Sequence, residues 1–490
     1  MKTRHSISVG FLALAGMLLT SWSASAQTVI RISGAATYRA PTIKAVESLL
    51  VSSGVNQYKF GYIGTNRYRP LANIYVGKLV SNNADVIILT RWTGDVSGVV
   101  NLTSQNAINW LPLSYATNAA KVSTAGVSGL ANSEITENAI QDVSISVTFA
   151  ESSAKVIGAA NAAGITAANN ILAANLVNAG TAAKAGGANT IGLAAFEWVV
   201  GKTAPAFSSV VANITNITQG AAAALIQGPV PLTFLTGSAS DQFRYAFAVG
   251  RSQDGGARTI PIADAQLGFT TPSYHFQLGF AATPGPITTQ DGGLQTGGAN
   301  ATVTSAIPWP ANWPLITLPA INYNTSGNSG YNLTSDLANA LSAVNPVTVT
   351  VGTTPVANTV LINPNDAPSG ITEVYFVGNN GVADTQALVS AGGKALTYQG
   401  VAYSPLAVKT GRYSLWSFAH LYYLGSGAGS LSGAKKSLAD ALADAIYETY
   451  APTNASGVTN SSDPGAAGIL FDSSVLVTRG IDGGAISQNY

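Results

Sequence analysis

The chain has 490 residues, of which 9% are charged and none is cysteine, with 23 basic and 22 acidic side chains for a formal charge of +1. So balanced a charge set offers no basic face for a polyanion, which excludes nucleic acid as the main partner, and the missing cysteines exclude disulfides and thiolate metal sites. Solubility therefore rests on hydroxyl and amide groups, and stability on a hydrophobic core too large for a single lobe.

At the N-terminus, Lys2 and Arg4 precede an uncharged stretch from Ile7 to Trp22, followed by Ala24-Ser25-Ala26. A basic head, an apolar run too short to cross a bilayer and small residues at the cut positions have the layout of a secretory signal peptide. Cleavage after Ala26 is expected, leaving a mature chain that starts at Gln27 in the periplasm or outside the cell. Lys2 and Arg4 leave with the peptide and no acid does, which takes the formal charge from +1 to −1.

Thr28 to Ser33 (TVIRIS) reads as a buried strand and Gly34 to Thr37 as a tight turn. A helix follows, with Pro41 in its first turn, Ile43, Val46 and Leu50 on one face and Gly54 as its stop. A second strand from Tyr58 to Ile63 runs into the turn 64–67. Pro70 then opens a helical pattern through Leu71, Ile74 and Leu79, and Asp85 to Leu89 is a third strand. This succession predicts a parallel α/β unit whose ligand edge carries the turns 34–37, 64–67 and 90–93. Residues 120–190 are rich in Ala, Gly and Asn, residues 205–265 regain strand and helix character, and residues 282–330 read as long surface loops. Near the end Leu438, Leu442 and Ile446 recur every four residues, the pattern of an amphipathic helix packed on a sheet.

Chemistry-bearing motifs are sparse. Beyond the leader only His275 and His420 remain, too few for a multi-histidine metal centre. No calcium-loop pattern and no GxSxG elbow occurs. Gly201-Lys202-Thr203 has the end of a phosphate-cradling loop, but Phe196 stands where its first glycine is required. The residues thus point away from an enzyme, and neither metal nor cofactor is expected. Trp198, Tyr331, Tyr375, Trp416, Tyr422 and Tyr423 read as core or hinge packing, with a cleft lining as the other reading.

Five segments carry a family likeness. Gly34-Ala35-Ala36-Thr37-Tyr38-Arg39-Ala40-Pro41 resembles the GAGATFPAP opening of periplasmic phosphate-binding proteins, and Gly64-Thr65 resembles their next Gly-Ser turn. Phe234 to Gly237, Ala248 to Arg251 and Gly255 to Arg258 resemble the LTG…VGRxxxSGTR stretch of that family. Gly400-Val401 with Gly411 to His420 resembles its NGV…GKYPLWGYEH segment, and Val477 to Gly484 its closing stretch. The matches occur in family order and span most of the mature chain.

The resemblance implies an α/β, two-lobed type II periplasmic binding protein-like fold with a ligand cleft between the lobes. Lobe one would comprise residues 27–115 and 400–490, and lobe two residues 116–399 with long insertions. It implies ligand contacts at Ala36, Thr37, Thr65, Thr90, Arg251, Gly255, Gly256 and Ala257, a small oxyanion such as phosphate or a related solute as partner, and delivery to a membrane ABC transporter. Three of these positions depart from the family: Thr90 stands where an aspartate accepts the phosphate proton, and Gly255 and Ala257 replace hydroxyl residues. A buried ligand oxygen left without its partner costs about 1–3 kcal/mol, so phosphate should be held poorly unless Arg67, Arg91 or Arg258 compensates. The rival reading is a secreted structural or adhesive protein that keeps the scaffold with a degenerate site. A hydrolase of phosphate esters is the third.

Overall fold

The computed structural model describes residues 27–153, 175–180, 190–269, 271–281, 298–310, 325–450, 469–470 and 476–488. The leader expected at 1–26 and most of the Ala-rich stretch lie outside them. No helix among the described residues is long and apolar enough to cross a membrane.

Strand β1 (Thr28–Gly34) sends Ile30 and Ile32 into the main core, while Val29 packs on the opposite side of the sheet. It ends at Gly34, where φ is +123° and a Cβ would overlap the Ile145 carbonyl oxygen. Only glycine permits that approach, which lets the Ala35 N–H donate to the same oxygen at 2.7 Å. Helix α1 (Arg39–Leu49) carries Pro41 in its first turn and buries Ile43 and Val46. It stops short of the expected Gly54, because Leu50 is already extended and bridges to Leu79.

The helix expected from Pro70 to Leu79 is instead a strand. Strands β2 (Lys59–Ile63), β3 (Ala72–Lys78) and β4 (Asp85–Arg91) form an antiparallel meander. The reason is that both faces of β3 are buried with period 2: Ala72 and Ile74 join one cluster, and Tyr75 enters the main core on the other face. The spacing of Leu71, Ile74 and Leu79 does not sustain a helical stripe, whereas Ile74-Tyr75-Val76 suits a pleated surface. Strand β4 lies parallel to β1 and antiparallel to β3, so β1, β2 and β4 run the same way. The turns that follow them share one sheet edge, as expected, with one crossover helix in place of two.

Helix α2 (Asp95–Thr103) and strand β5 (Val143–Ser146) follow, β5 pairing in parallel with β1. Strand β6 (Thr190–Val200) is buried along its whole length. Then come helix α3 (Gln219–Gln227), strand β7 (Arg244–Ala248), helix α4 (Gly256–Asp264), helix α5 (Thr334–Ser342), strand β8 (Glu373–Gly381), helix α6 (Val382–Ser390), strand β9 (Trp416–Leu424) and helix α7 (Gly433–Tyr450). The main sheet runs β7-β8-β6-β9-β5-β1-β4-β3-β2, with short strands at each edge. Its centre is the antiparallel pair of β6 and β9, which joins the half built on β1 to the half built on β8. The architecture is α/β with two lobes.

The loop expectation for 282–330 is corrected at Val303–Pro308, a strand paired with Phe276–Phe280 in a separate four-stranded sheet. Its Val303 and Ala306 enter a second core with Phe276, Trp309 and Tyr331. Helix α7 buries Leu438, Leu442 and Ile446 as its spacing predicted, and it packs on α1 and β6. Each such side chain contributes about 1.5–3 kcal/mol on burial. The two ends of the chain are thereby packed together.

Candidate functional site

At the carboxyl edge of β1, residues Ala36–Tyr38 form a 3-10 turn that leads into α1. Ala36, Thr37, Arg39 and Arg69 line a small, open cavity whose opposite wall is the start of α6, Gly381 to Asp384. Two helix N-termini, each the positive end of a helix dipole, thus face one space. Arg39 is buried, with Nε donating to Ala36 O at 3.0 Å and Nη1 to Pro70 O at 3.3 Å. Burial lowers its pKa to about 10, with Arg69 and Arg251 acting the same way and Asp384 and Asp336 opposing. Arg69 Nη1 meets Asp384 Oδ1 at 3.2 Å, tying the turn before β3 to α6.

A second construction surrounds the start of α4. Asp95, in the first turn of α2, is buried and accepts hydrogen bonds from Gly256 N at 2.6 Å and Val147 N at 2.8 Å. The first turn of α4 therefore receives a carboxylate from the chain itself, the charge that a helix N-terminus favours. Burial raises the pKa of Asp95 to about 6, with Asp254 adding to the rise, while the two N–H donors and Arg251 oppose it. Val96 N donates to Asp254 O at 3.0 Å, so the segments 94–96 and 254–256 are docked along their backbones.

Arg251 is 3% exposed, and its Nε and Nη1 have no hydrogen-bond partner among the described residues. Burial lowers its pKa, opposed by Asp254, Asp95, Asp336 and Asp384. A Cβ on Gly255 would sit 2.7 Å from Arg251 Nη2, and one on Gly256 would overlap the Val147 side chain. The absence of a side chain at 255 leaves room for the guanidinium.

The positions singled out in the sequence divide accordingly. Ala36 and Thr37 line the cleft cavity, and Arg251, Gly255 and Gly256 surround or touch Asp95, with Ala257 next to them at the start of α4. Thr65 is exposed and does not line that cavity. Thr90 is buried in β4 and donates Oγ1–H to Asn73 Oδ1 at 2.7 Å. Of the further arginines, Arg67 pairs with Glu47 at 3.3 Å and Arg91 bonds to the Asn109 carbonyl. Arg258 alone is close, donating to Arg251 O at 3.4 Å. Lys202 of the partial phosphate-loop motif donates to Ala299 O at 3.1 Å.

Sequence reasoning missed Asp95, Asp254, Arg69 and Asp384, and passed over Arg39 inside its motif. Asp95 carried a usable signal, an acidic residue after Gly94 at a strand-to-helix junction. The others are joined only by the fold. His275 and His420 are both buried, which lowers their pKa values to about 3 and about 4 and leaves both rings neutral near pH 7. No group of three or more His, Cys, Asp or Glu among the described residues is placed to hold a metal ion.

No family model matches the chain and no curated protein matches it. Among solved structures it is similar to PstS from Borrelia burgdorferi, at 9% identity and a TM-score of 0.33 over 91% of this chain and 99% of that one. It is likewise similar to an ABC-type phosphate transport receptor from Vibrio cholerae, at 9% identity and a TM-score of 0.35 over 86% of this chain and 98% of that one.

Proposed function

We propose that the chain is an exported, non-enzymatic solute-binding protein that takes a small oxyanion-bearing solute into the cleft between its lobes and hands it to a membrane ABC transporter. The observation that carries this reading is the convergence of the α1 and α6 starts with Arg39 and Arg69 on one cavity. Arg39 and Arg69 outnumber Asp384 on its wall by one charge, so a singly charged group is the natural occupant. Phosphate is disfavoured on two grounds: Thr90 already spends its hydroxyl on Asn73, and the start of α4 is taken by Asp95. On this reading lobe one is 27–115 with 400–490 and the ligand shell is built around Ala36 and Thr37, with closure of the lobes as the functional motion.

Calorimetric titration of the mature chain with phosphate, sulfate and small organic sulfonates tests it. A singly charged sulfonate should bind better than phosphate, and Arg39→Gln should weaken it at least tenfold, since hydrogen bonds to a charged donor are about twice as strong as neutral ones. If no oxyanion binds at all, the solute-binding reading fails and the scaffold reading replaces it.

A further inference from the structure

Asp95 stands in one half of the molecule and reaches across to the other. Helix α2, which carries Asp95 in its first turn, packs on β1, β5 and β9, whereas α4 packs on β8. The Asp95 carboxylate accepts from Val147 N at 2.8 Å in its own half and from Gly256 N, the first residue of α4, at 2.6 Å in the other. Val96 N donates over the same boundary to Asp254 O at 3.0 Å, and Arg69 Nη1 meets Asp384 Oδ1 at 3.2 Å. At Gly94, where φ is +107°, a Cβ would lie 2.7 Å from Asp254 O, so the halves are packed too closely there for a side chain. We propose that Asp95 is an autoinhibitory latch, which holds the two halves together from within and must be displaced before a solute can enter the cleft. The proposal rests on the solute-binding reading of the cleft and names its regulation.

The start of α4 is a place where the helix dipole favours an anion. Asp95 supplies that anion on a tether, so its local concentration is high and it loses little freedom on docking, whereas a dissolved solute loses its translational freedom. Its two bonds are also charge-assisted, which makes them about twice as strong as neutral ones. The cleft cavity is small and its walls come from both halves, Ala36 to Arg39 with Arg69 on one side and Gly381 to Asp384 on the other. Making room for a solute therefore parts the halves and breaks the bonds of Asp95 and Val96 across the boundary. The apparent affinity for solute is reduced by the fraction of molecules in which those bonds are already open. Asp336 is the contrasting case. It lies on α5, packed on β8, and acts electrostatically on the same Arg251 and Arg39, but its carboxylate accepts from the Leu333 N–H within its own half.

The test is amide hydrogen exchange of the mature chain together with calorimetric titration with methanesulfonate. Exchange is followed at Val96, whose acceptor lies across the boundary, and at Ala35, whose N–H is held by Ile145 O within one half. In Asp95→Asn, which keeps the size and removes the charge, exchange at Val96 should rise about tenfold with Ala35 unchanged, since Val96 loses its acceptor only when the halves part. Methanesulfonate should bind the variant about tenfold more tightly than wild type. Asp336→Asn, which removes one charge beside the same arginines and no bond across the boundary, should leave Val96 exchange unchanged and fall short of that gain in affinity. The proposal is overturned if Val96 exchanges no faster in Asp95→Asn than in wild type, or if Asp336→Asn tightens methanesulfonate as much. Should Asp95→Asn fail to fold, Gly256→Ala takes its place, because a Cβ there overlaps the Val147 side chain and lies 3.1 Å from Asp95 Oδ2 while no charge changes. Unchanged Val96 exchange in that variant overturns the proposal. If methanesulfonate binds neither wild type nor Asp95→Asn while Val96 exchange rises, the latch is upheld and the solute-binding reading fails. If it binds both equally and Val96 exchange does not change, the latch fails and the solute-binding reading is upheld.

Discussion

Asp95 offers the sharpest perturbation, because its carboxylate sits where an external anion would meet the start of α4. Asp95→Ala strands the N–H groups of Val147 and Gly256, now satisfied at 2.8 and 2.6 Å. At about 1–3 kcal/mol for each buried donor left unpaired, the gross cost is about 2–6 kcal/mol. Against it stands relief of a strained ionisation: the pKa is raised to about 6, and two units above the ordinary value correspond to about 3 kcal/mol at neutral pH. The variant should therefore lose up to about 3 kcal/mol at pH 7, a large share of the roughly 5–15 kcal/mol that holds a typical domain. The deficit should widen on acidification. A carboxyl group whose folded pKa is raised is penalised fully above that pKa and not at all below its unfolded value of about 3.9, so wild type gains relative stability between pH 6 and pH 4 while the variant does not.

The same variant opens an anion seat beside Arg251. Sulfate at a hundred times its dissociation constant would restore about 2.7 kcal/mol by binding the folded state alone. The assay is thermal melting of both proteins across sulfate concentrations, with chloride at matched ionic strength as control. The reasoning is refuted if Asp95→Ala is as stable as wild type at pH 5. Equal sulfate stabilisation of both proteins refutes the seat, since that is the general effect of an excluded salt.

Glu197, buried in β6, has its pKa raised to about 7 by burial. The ionisation penalty is complete above pH 7 and absent below about 4.3, so Glu197→Gln should match wild type near pH 4 and exceed it by roughly 3 kcal/mol near pH 8, as read by denaturant titration. Gly255→Ser should destabilise rather than create an anion contact, because its Cβ falls 2.7 Å from Nη2 of the buried Arg251. A loss of roughly 1–3 kcal/mol is expected for overpacking of this kind, and a variant with unchanged melting that binds phosphate better would contradict it.

Local pattern was enough for several elements. The alternating Ile30 and Ile32 of β1, the proline inside the first turn of α1 and the four-residue recurrence of Leu438, Leu442 and Ile446 each point to one element type, and the burial of these residues follows it. The mature start at Gln27 remains an expectation of the sequence alone, because the leader lies outside the described residues. The segment 70–79 shows where local pattern ends. Its apolar residues, Leu71, Ala72, Ile74, Tyr75, Val76 and Leu79, fit no single period, and it becomes β3 because its neighbours bury both of its faces.

The candidate site was legible only where one short segment supplies it, as at Ala36 and Thr37. Arg69 and Asp384 lie 315 residues apart in the chain, and Asp95 and Gly256 lie 161 apart. Such pairs have no signature in either segment, because the partner that gives each charge its meaning is brought up by sheet order rather than by sequence. Thr90 illustrates the converse. Its motif position suggested a ligand contact, yet its hydroxyl is satisfied by Asn73 on the adjacent strand. A hydroxyl in a strand bonds to whichever acceptor the register places beside it, and register is a property of the sheet.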